Sequence, residues 1–278
     1  MTTKAATAVT GLDVLVTGAT SGIGELTAQV LAEAGARVIA HGRDAAKVAA
    51  VVAAIREAGG EARGVVADLA SLAEVRRLAA DAGAVDVLVN NAGVGFGRDR
   101  TARETSRDGY ELRFAVNYLA PVLLTRELLA RRPLRAVVDV ASAGQAPIDL
   151  DDLQLERDYD GVEAYRRSKL ALIMASFDLA EQAPDVASVC LHPGTFLATA
   201  MVTEAGITPH GEASRGAENV VAALFRALDE GLRGVYLDET RATRADRQAY
   251  DPEVRRALRE RADALLAAAS GAGGSARR

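Results

Sequence analysis

The chain has 278 residues, 49% of them hydrophobic and 26% charged, with a net charge of −5. That length and composition suit one large α/β domain, and the acidic balance excludes the basic field that draws proteins onto phosphate backbones, so nucleic acid is not an expected partner. The lone cysteine, Cys190, rules out an internal disulfide and fits a reducing cytoplasm.

In the apolar run ASVCLH, Cys190 reads as a small core filler rather than a reactive thiol. No apolar run approaches the roughly 20 residues of a membrane span, and the N-terminus lacks the apolar centre of a signal peptide. A soluble, cytoplasmic protein without a membrane partner is expected.

Short β-branched runs alternate with Ala-rich helical stretches. A first strand over 12–17 meets the turn TGATSGIG (17–24), which opens a helix over 22–34. A strand over 36–41 and the residues HGRD (41–44) precede a helix over 44–58. A strand over 61–67 is followed by a helix over 71–82, and a strand over 85–90 ends in NNAG (90–93). A long helix over 105–131 carries VNYLAP (116–121), and a strand over 134–141 runs into DVASAG (139–144). The helix over 161–182 contains YRRSK, and a strand over 186–192 leads into HPGT (192–195). A helix over 215–230, a strand over 234–239 and a charged helix over 252–268 follow, with 270–278 expected as a disordered tail.

Strands this short and apolar read as buried on both faces, and the strict alternation predicts a parallel sheet with right-handed crossovers. The expected fold is a single doubly wound Rossmann-type α/β domain over 1–269, its seven-stranded parallel sheet flanked by helices on both faces.

Two local patterns carry chemistry. Gly18, Gly22 and Gly24 permit a tight turn and let backbone N–H groups approach a pyrophosphate at a helix N-terminus. Their spacing, G-x-x-x-G-x-G, differs from the commonest dinucleotide fingerprint. Tyr165 and Lys169, four positions apart, share one helix face. A free tyrosine titrates near pH 10, and a nearby ammonium favours the phenolate, so the pair can form an acid/base device or simply a solvated helix face.

These motifs, in this order over about residues 10–240, resemble the short-chain dehydrogenase/reductase family, and in particular its soluble bacterial members similar to retinol dehydrogenases. The resemblance implies a catalytic tetrad of Asn117, Ser142, Tyr165 and Lys169. In that family the tyrosine exchanges a proton with the substrate oxygen. The lysine lowers the tyrosine pKa and holds the nicotinamide ribose, the serine orients the carbonyl, and the asparagine completes a water relay. The implied cofactor contacts in the opening turn are Gly18, Thr20, Ser21, Gly22, Ile23 and Gly24. Further along they are Arg43, Asp68, Leu69, Asn90, Ala92 and Gly93, then Tyr165 and Lys169 themselves, and last Pro193, Gly194 and Thr195. The implied reaction is reversible hydride transfer between a nicotinamide and a small, partly apolar carbonyl or secondary alcohol. The rival readings are a lyase or epimerase with a tightly held cofactor, and a non-catalytic NADP-sensing protein. The family's habit of assembling through its two long central helices implies a homodimer or homotetramer.

Gly42 stands where NAD-preferring members carry an acid, and Arg43 follows it, which favours NADP(H) with NAD(H) possible; Arg43 as an ordinary solvated charge is the plain alternative. Asp68 resembles the family's adenine-binding acid and could equally cap the helix over 71–82. Pro121 has no N–H for the Asn117 carbonyl, so a kink is expected there, either freeing that carbonyl for a relay water or merely bending the helix.

The stretch 145–162 between Ser142 and Tyr165 is longer than in compact relatives and reads as a substrate-pocket arm or a solvated loop. Residues 195–214 read as a mobile lid. Within it Thr199 comes one residue later than in many relatives, which puts its cofactor contact in doubt. His210 reads as a solvated loop residue. His41 and His192 flank the cofactor loops without a third ligand, so no metal site is expected.

Overall fold

The structure, a computed structural model, describes residues 8–272. Strands β1 (Asp13–Val16), β2 (Arg37–Gly42), β3 (Glu61–Val66), β4 (Val87–Asn90), β5 (Ala136–Val140), β6 (Ala187–His192), β7 (Arg233–Asp238) and β8 (Arg241–Thr243) form one sheet in the order β3-β2-β1-β4-β5-β6-β7-β8. The order reverses between β1 and β4, the place where a doubly wound sheet opens a crevice at its carboxyl edge.

The first seven strands are parallel, as expected, but the sheet has eight. The extra strand, β8, is antiparallel to β7 across a tight turn in which Glu239 has φ 54°. Its three residues are all exposed, so no apolar alternation marks it in the sequence.

Helices α1 (Gly22–Glu33), α2 (Ala45–Glu57) and α8 (Ala213–Glu230) cover one face; α3 (Leu72–Asp81), α5 (Ala120–Leu129), α6 (Gly161–Gln182) and α9 (Pro252–Ala272) cover the other. The short α4 (Leu112–Phe114) and α7 (Ala200–Glu204) lie in connections. Alternate strand residues feed the two cores: Val14 and Val16 pack with α1 and α8, whereas Leu15 packs with α3 and α5. Each such buried Val or Leu contributes about 1.5–3 kcal/mol. The expected tail at 270–278 begins too early, because α9 runs to Ala272; residues 273–278 lie outside the described chain.

The helix expected over 105–131 is broken. Residues 105–111 form a loop closed by a bridge between Thr105 and Glu111, with Gly109 at φ 82°, so helix starts only at Leu112. A π-helical turn then occupies Ala115–Leu119 before α5 begins, placing the expected irregularity around Asn117 itself rather than at Pro121.

A buried charged knot holds this loop. Arg113 is 1% exposed; its guanidinium donates to the Gly95 carbonyl at 2.9 Å, to Glu104 at 2.8 Å and to the Tyr159 hydroxyl at 2.8 Å. Glu111, fully buried, accepts from the Tyr159 hydroxyl at 2.9 Å and from the Phe114 N–H at 2.7 Å. Removing one partner strands the other charge in low dielectric. Arg113→Met should therefore destabilise the protein by about 3–5 kcal/mol in urea unfolding; a loss below about 1 kcal/mol would show that the knot is dispensable.

Candidate active site

The helix that carries the reactive pair starts cleanly. The Asp160 side chain caps α6, accepting from the N–H groups of Val162 and Glu163 at 2.8 Å each. Gly161 is required beside it, because a Cβ there would meet the Phe96 carbonyl. Tyr165 and Lys169 then project one turn apart toward the carboxyl end of β5.

Lys169, 3% exposed, donates from Nζ to the Val140 carbonyl at 2.8 Å and lies 5.8 Å from the Tyr165 ring centre. The Phe96 ring meets the Tyr165 ring edge-on at 4.9 Å and 88°, and the Ser142 side chain lies near enough to favour the Tyr165 phenolate. Ser142 is steadied by its own loop: its Oγ accepts from the Gly144 N–H at 3.0 Å, and its carbonyl accepts from Tyr236 at 3.0 Å and Gln145 at 3.1 Å.

Asn117 is fully buried in the π turn. Its Oδ1 accepts from the Val94 N–H at 2.8 Å, and its Nδ2 donates to the Val94 carbonyl at 3.0 Å and to Ser168 at 2.9 Å. A Cβ on Gly93 would lie 3.2 Å from Asn117 Oδ1 and 3.5 Å from Lys169 Nζ, so Gly93, Asn117 and Lys169 converge. All four tetrad residues are thus brought together. The Asn117 amide is already engaged by protein, which leaves its main-chain carbonyl as the group that could hold a water.

The glycine turn is a close-packed cradle. Gly18 has φ 66°, and a Cβ on it would sit 2.9 Å from the Ala92 Cα; a Cβ on Gly24 would collide with the Gly18 carbonyl and the Asn91 amide. Ser21 stands at the N-cap of α1 with its hydroxyl making no cap bond, and the first-turn N–H groups of Gly22, Ile23 and Gly24 lack acceptors within the helix. This cradle fits a dinucleotide pyrophosphate, with Thr20, Ser21 and Gly22 at its rim.

Other expected contacts are placed unevenly. Arg43 is exposed beyond β2, and Gly42 is roofed by Thr20 and Val48. Asp68 accepts from the Ala70 N–H at 3.0 Å and pairs with Arg107 at 3.3 Å, whereas the cap of α3 is Ser71, so the capping alternative for Asp68 falls. The side chains of Leu69 and Asn90 turn into the core: Asn90 Nδ2 donates to Asp139 at 2.8 Å. Only their backbones can face a cofactor. Pro193 gives its carbonyl to Asn219 at 2.9 Å, Gly194 has φ 136°, and the Thr195 hydroxyl lies 3.0 Å from His192 Nε2.

Four residues that the sequence reading left without a role also build the cradle. Thr17 Oγ1 accepts from the N–H groups of Asn91 and Ala92 at 2.9 and 3.0 Å, and Asn91 Nδ2 donates to the Thr17 carbonyl at 2.9 Å. His41 Nδ1 accepts from the Gly18 N–H at 3.3 Å while its Nε2 faces the Ala67 carbonyl at 3.0 Å. Thr199 returns to the cradle despite its late position, its Cγ2 3.3 Å from where a Cβ on Gly22 would lie. Upstream of it Phe196 adopts φ 47°, a left-handed conformation uncommon for a non-glycine residue. The 195–214 segment is laid down on the site: Met201 occupies the space beside Gly95, and the Ala198 N–H donates to the Gly211 carbonyl at 2.8 Å.

The arm over 145–162 packs inward rather than standing in solvent. Ile148 and Leu155 are buried, Gln154 accepts from the Glu111 N–H at 2.8 Å, and a clasp ties the arm to the C-terminal segment. In that clasp Gln248 accepts from the Ile148 N–H at 2.6 Å and donates back to the Ile148 carbonyl at 3.0 Å, and Gln145 accepts from the Asp246 N–H at 2.7 Å.

A family model described as short chain dehydrogenase matches residues 13–209. The chain belongs to this family. It is 39% identical over 192 residues to the candidate daunorubicin C-13 ketoreductase DnrU of Streptomyces sp. (strain C5), covering 66% of each chain. It is 38% identical over 206 residues to human retinol dehydrogenase 13, covering 67% of this chain and 59% of that one. The match therefore spans less than two thirds of either relative's length. Among solved structures, a metagenomic short-chain oxidoreductase in complex with NADP has TM-score 0.62 and 29% identity, with 83% of this chain and 97% of that one covered.

Burial sets the electrostatics of this site. It raises the Tyr165 pKa, against the smaller opposing pull of the Ser142 side chain, and it lowers Lys169 to about 8, against the opposing charge of Asp139. Among the described residues no group of histidines, cysteines and carboxylates could hold a metal ion, and no helix is long and apolar enough to cross a membrane.

Burial also lowers His41 to about 4, whereas the unfolded imidazole titrates at 6.5. Below about pH 6.5 the unfolded chain binds this proton first, so stability should fall as the pH drops and be reduced by about 3 kcal/mol near pH 4. Urea unfolding at stepped pH should show His41→Gln lacking this part of the acid limb; superimposable profiles would remove His41 from the account.

Proposed function

We propose that the enzyme is an NADP(H)-dependent oxidoreductase interconverting a carbonyl and a secondary alcohol on a small, partly apolar substrate. The observation that carries this reading is the Lys169 ammonium 5.8 Å from the centre of the Tyr165 ring, converging with Asn117 on Gly93 beside the glycine cradle. NADP(H), when bound, supplies or accepts the hydride exchanged with the substrate carbon.

The chain's own residues do the rest. Tyr165 donates its proton to the developing alkoxide in reduction and recovers it in oxidation. Burial keeps the phenol protonated, the form that reduction needs, whereas oxidation needs the phenolate, which the Ser142 side chain favours. Ser142 holds the substrate oxygen, its position fixed by Gly144, Gln145 and Tyr236. Lys169 and the Asn117 main chain lead the proton toward water. Phe96 and Met201 offer the apolar walls, in keeping with relatives named for a ketone and for retinol.

The preference for NADP(H) rests on space and charge. An acid at position 42 would collide with Thr20 and Val48, so the ribose-binding carboxylate of NAD enzymes has no room, while Arg43 presents a guanidinium to a 2′-phosphate.

Tyr165→Phe should reduce turnover at least about 1,000-fold, as followed at 340 nm with ketone panels, while NADPH still binds in fluorescence titration; residual activity near wild type would overturn the reading. Arg43→Ala should weaken NADPH binding about tenfold, roughly 1.4 kcal/mol, and leave NADH unchanged. Equal loss for both cofactors would refute the 2′-phosphate role.

A further inference from the structure

Beneath the tetrad runs a buried polar row that the proposed mechanism does not use. The sheet register pairs Asn90 of β4 with Asp139 of β5 and Asp139 with Cys190 of β6, setting three polar side chains across the centre of the sheet. They lie on the face covered by α6. All three residues are buried, Asp139 at 4% exposed. Asn90 Nδ2 donates to Asp139 Oδ1 at 2.8 Å and to Thr125 of α5 at 3.4 Å, which fixes the carboxylate's orientation.

A carboxylate in such a place costs several kcal/mol unless it is paired. The same holds for Lys169, whose ammonium has one carbonyl acceptor, Val140, the residue next to Asp139 on β5. The two charges do not touch, yet each acts on the other through the buried layer: the ammonium lowers the carboxyl pKa, and the carboxylate raises the lysine pKa.

We propose that Asp139 is the buried counter-ion of Lys169, a positioning residue that keeps the ammonium charged beside the Tyr165 phenol. The proposal rests on the reading of Tyr165 and Lys169 as the acid/base pair. Facing Lys169 are Asp139 from β5, Tyr165 from its own helix and the neutral Asn117 from the π turn. Facing Asp139 are Asn90 from β4, Lys169 and Ser176 from α6, and the Cys190 thiol of β6, which burial keeps protonated. Asp139 is therefore the negative charge that balances the lysine in this layer. Its own burial raises it to about 6, so the balance is complete above that pH and fails as Asp139 protonates below it.

The chain's lysine content makes the coupling measurable in the protein without turnover. There are three lysines, Lys4, Lys47 and Lys169, so side-chain 13C NMR of lysine-labelled protein gives three signals, and Lys169 is the one lost in Lys169→Arg. In the wild type the Lys169 signal should carry two inflections, near pH 8 for its own proton and near pH 6 for Asp139. In Asp139→Asn, which keeps an oxygen for Asn90, the lower inflection should vanish and the upper one fall by about one pH unit. The alkaline limb of NADPH-dependent reduction should move down with it.

A single wild-type inflection, or an unmoved midpoint in the variant, overturns the counter-ion. The wild-type titration decides the matter even where Asp139→Asn fails to fold. A coupled titration together with an active Tyr165→Phe would instead sink the catalytic reading and leave the counter-ion standing.

Discussion

A single bond from the Lys169 ammonium to the Val140 carbonyl ties the helix bearing Tyr165 to the end of the central strand. It forces a charge into the most buried layer of the molecule, where water cannot help it. Much of the surrounding architecture answers that demand. The Asp160 cap and the close approach at Gly161 start α6 in the right place, so Tyr165 and Lys169 arrive together at the strand end. The π turn puts Asn117 opposite them instead of one register away.

The cradle obeys a second constraint, that of backbones brought closer than any side chain permits. Gly18 against Ala92 and Gly24 against the Gly18 carbonyl are contacts that only glycine allows, and Thr17 and Asn91 stitch the two loops together from within. Loops held this way need no rearrangement to present their N–H groups, and so lose little entropy when an anion arrives. The segment from Thr199 to Met201 then spans from this cradle to the Gly95 loop.

The parallel core was legible because its signals are local. Helical periodicity over 161–182 recovered α6 residue for residue, and the apolar strands β1 to β7 announced themselves by composition. What escaped lacks such a signal. The three exposed residues of β8 carry no pattern, and residues 105–111 look helical until Gly109 and the Thr105–Glu111 bridge impose a loop. At the site, motifs named the tetrad but not the directions of side chains. Asn90 belongs to a recognisable motif yet points into the core, and Thr17, His41 and Asn91 act through contacts made by residues distant in the chain. The expected lowering of the phenol's pKa does not appear, since burial of the ring raises it and the opposing pull comes from Ser142.

The clasp between Gln248 and Ile148 gives the arm an owner outside the stretch that the family model matches, which ends at residue 209. The wall beside Ser142 is therefore shared property of two regions separated by 100 positions in the chain. A transplant of residues 145–162 into a relative would carry the sequence of that wall without its fastening. A change in either region must then be matched by a change in the other.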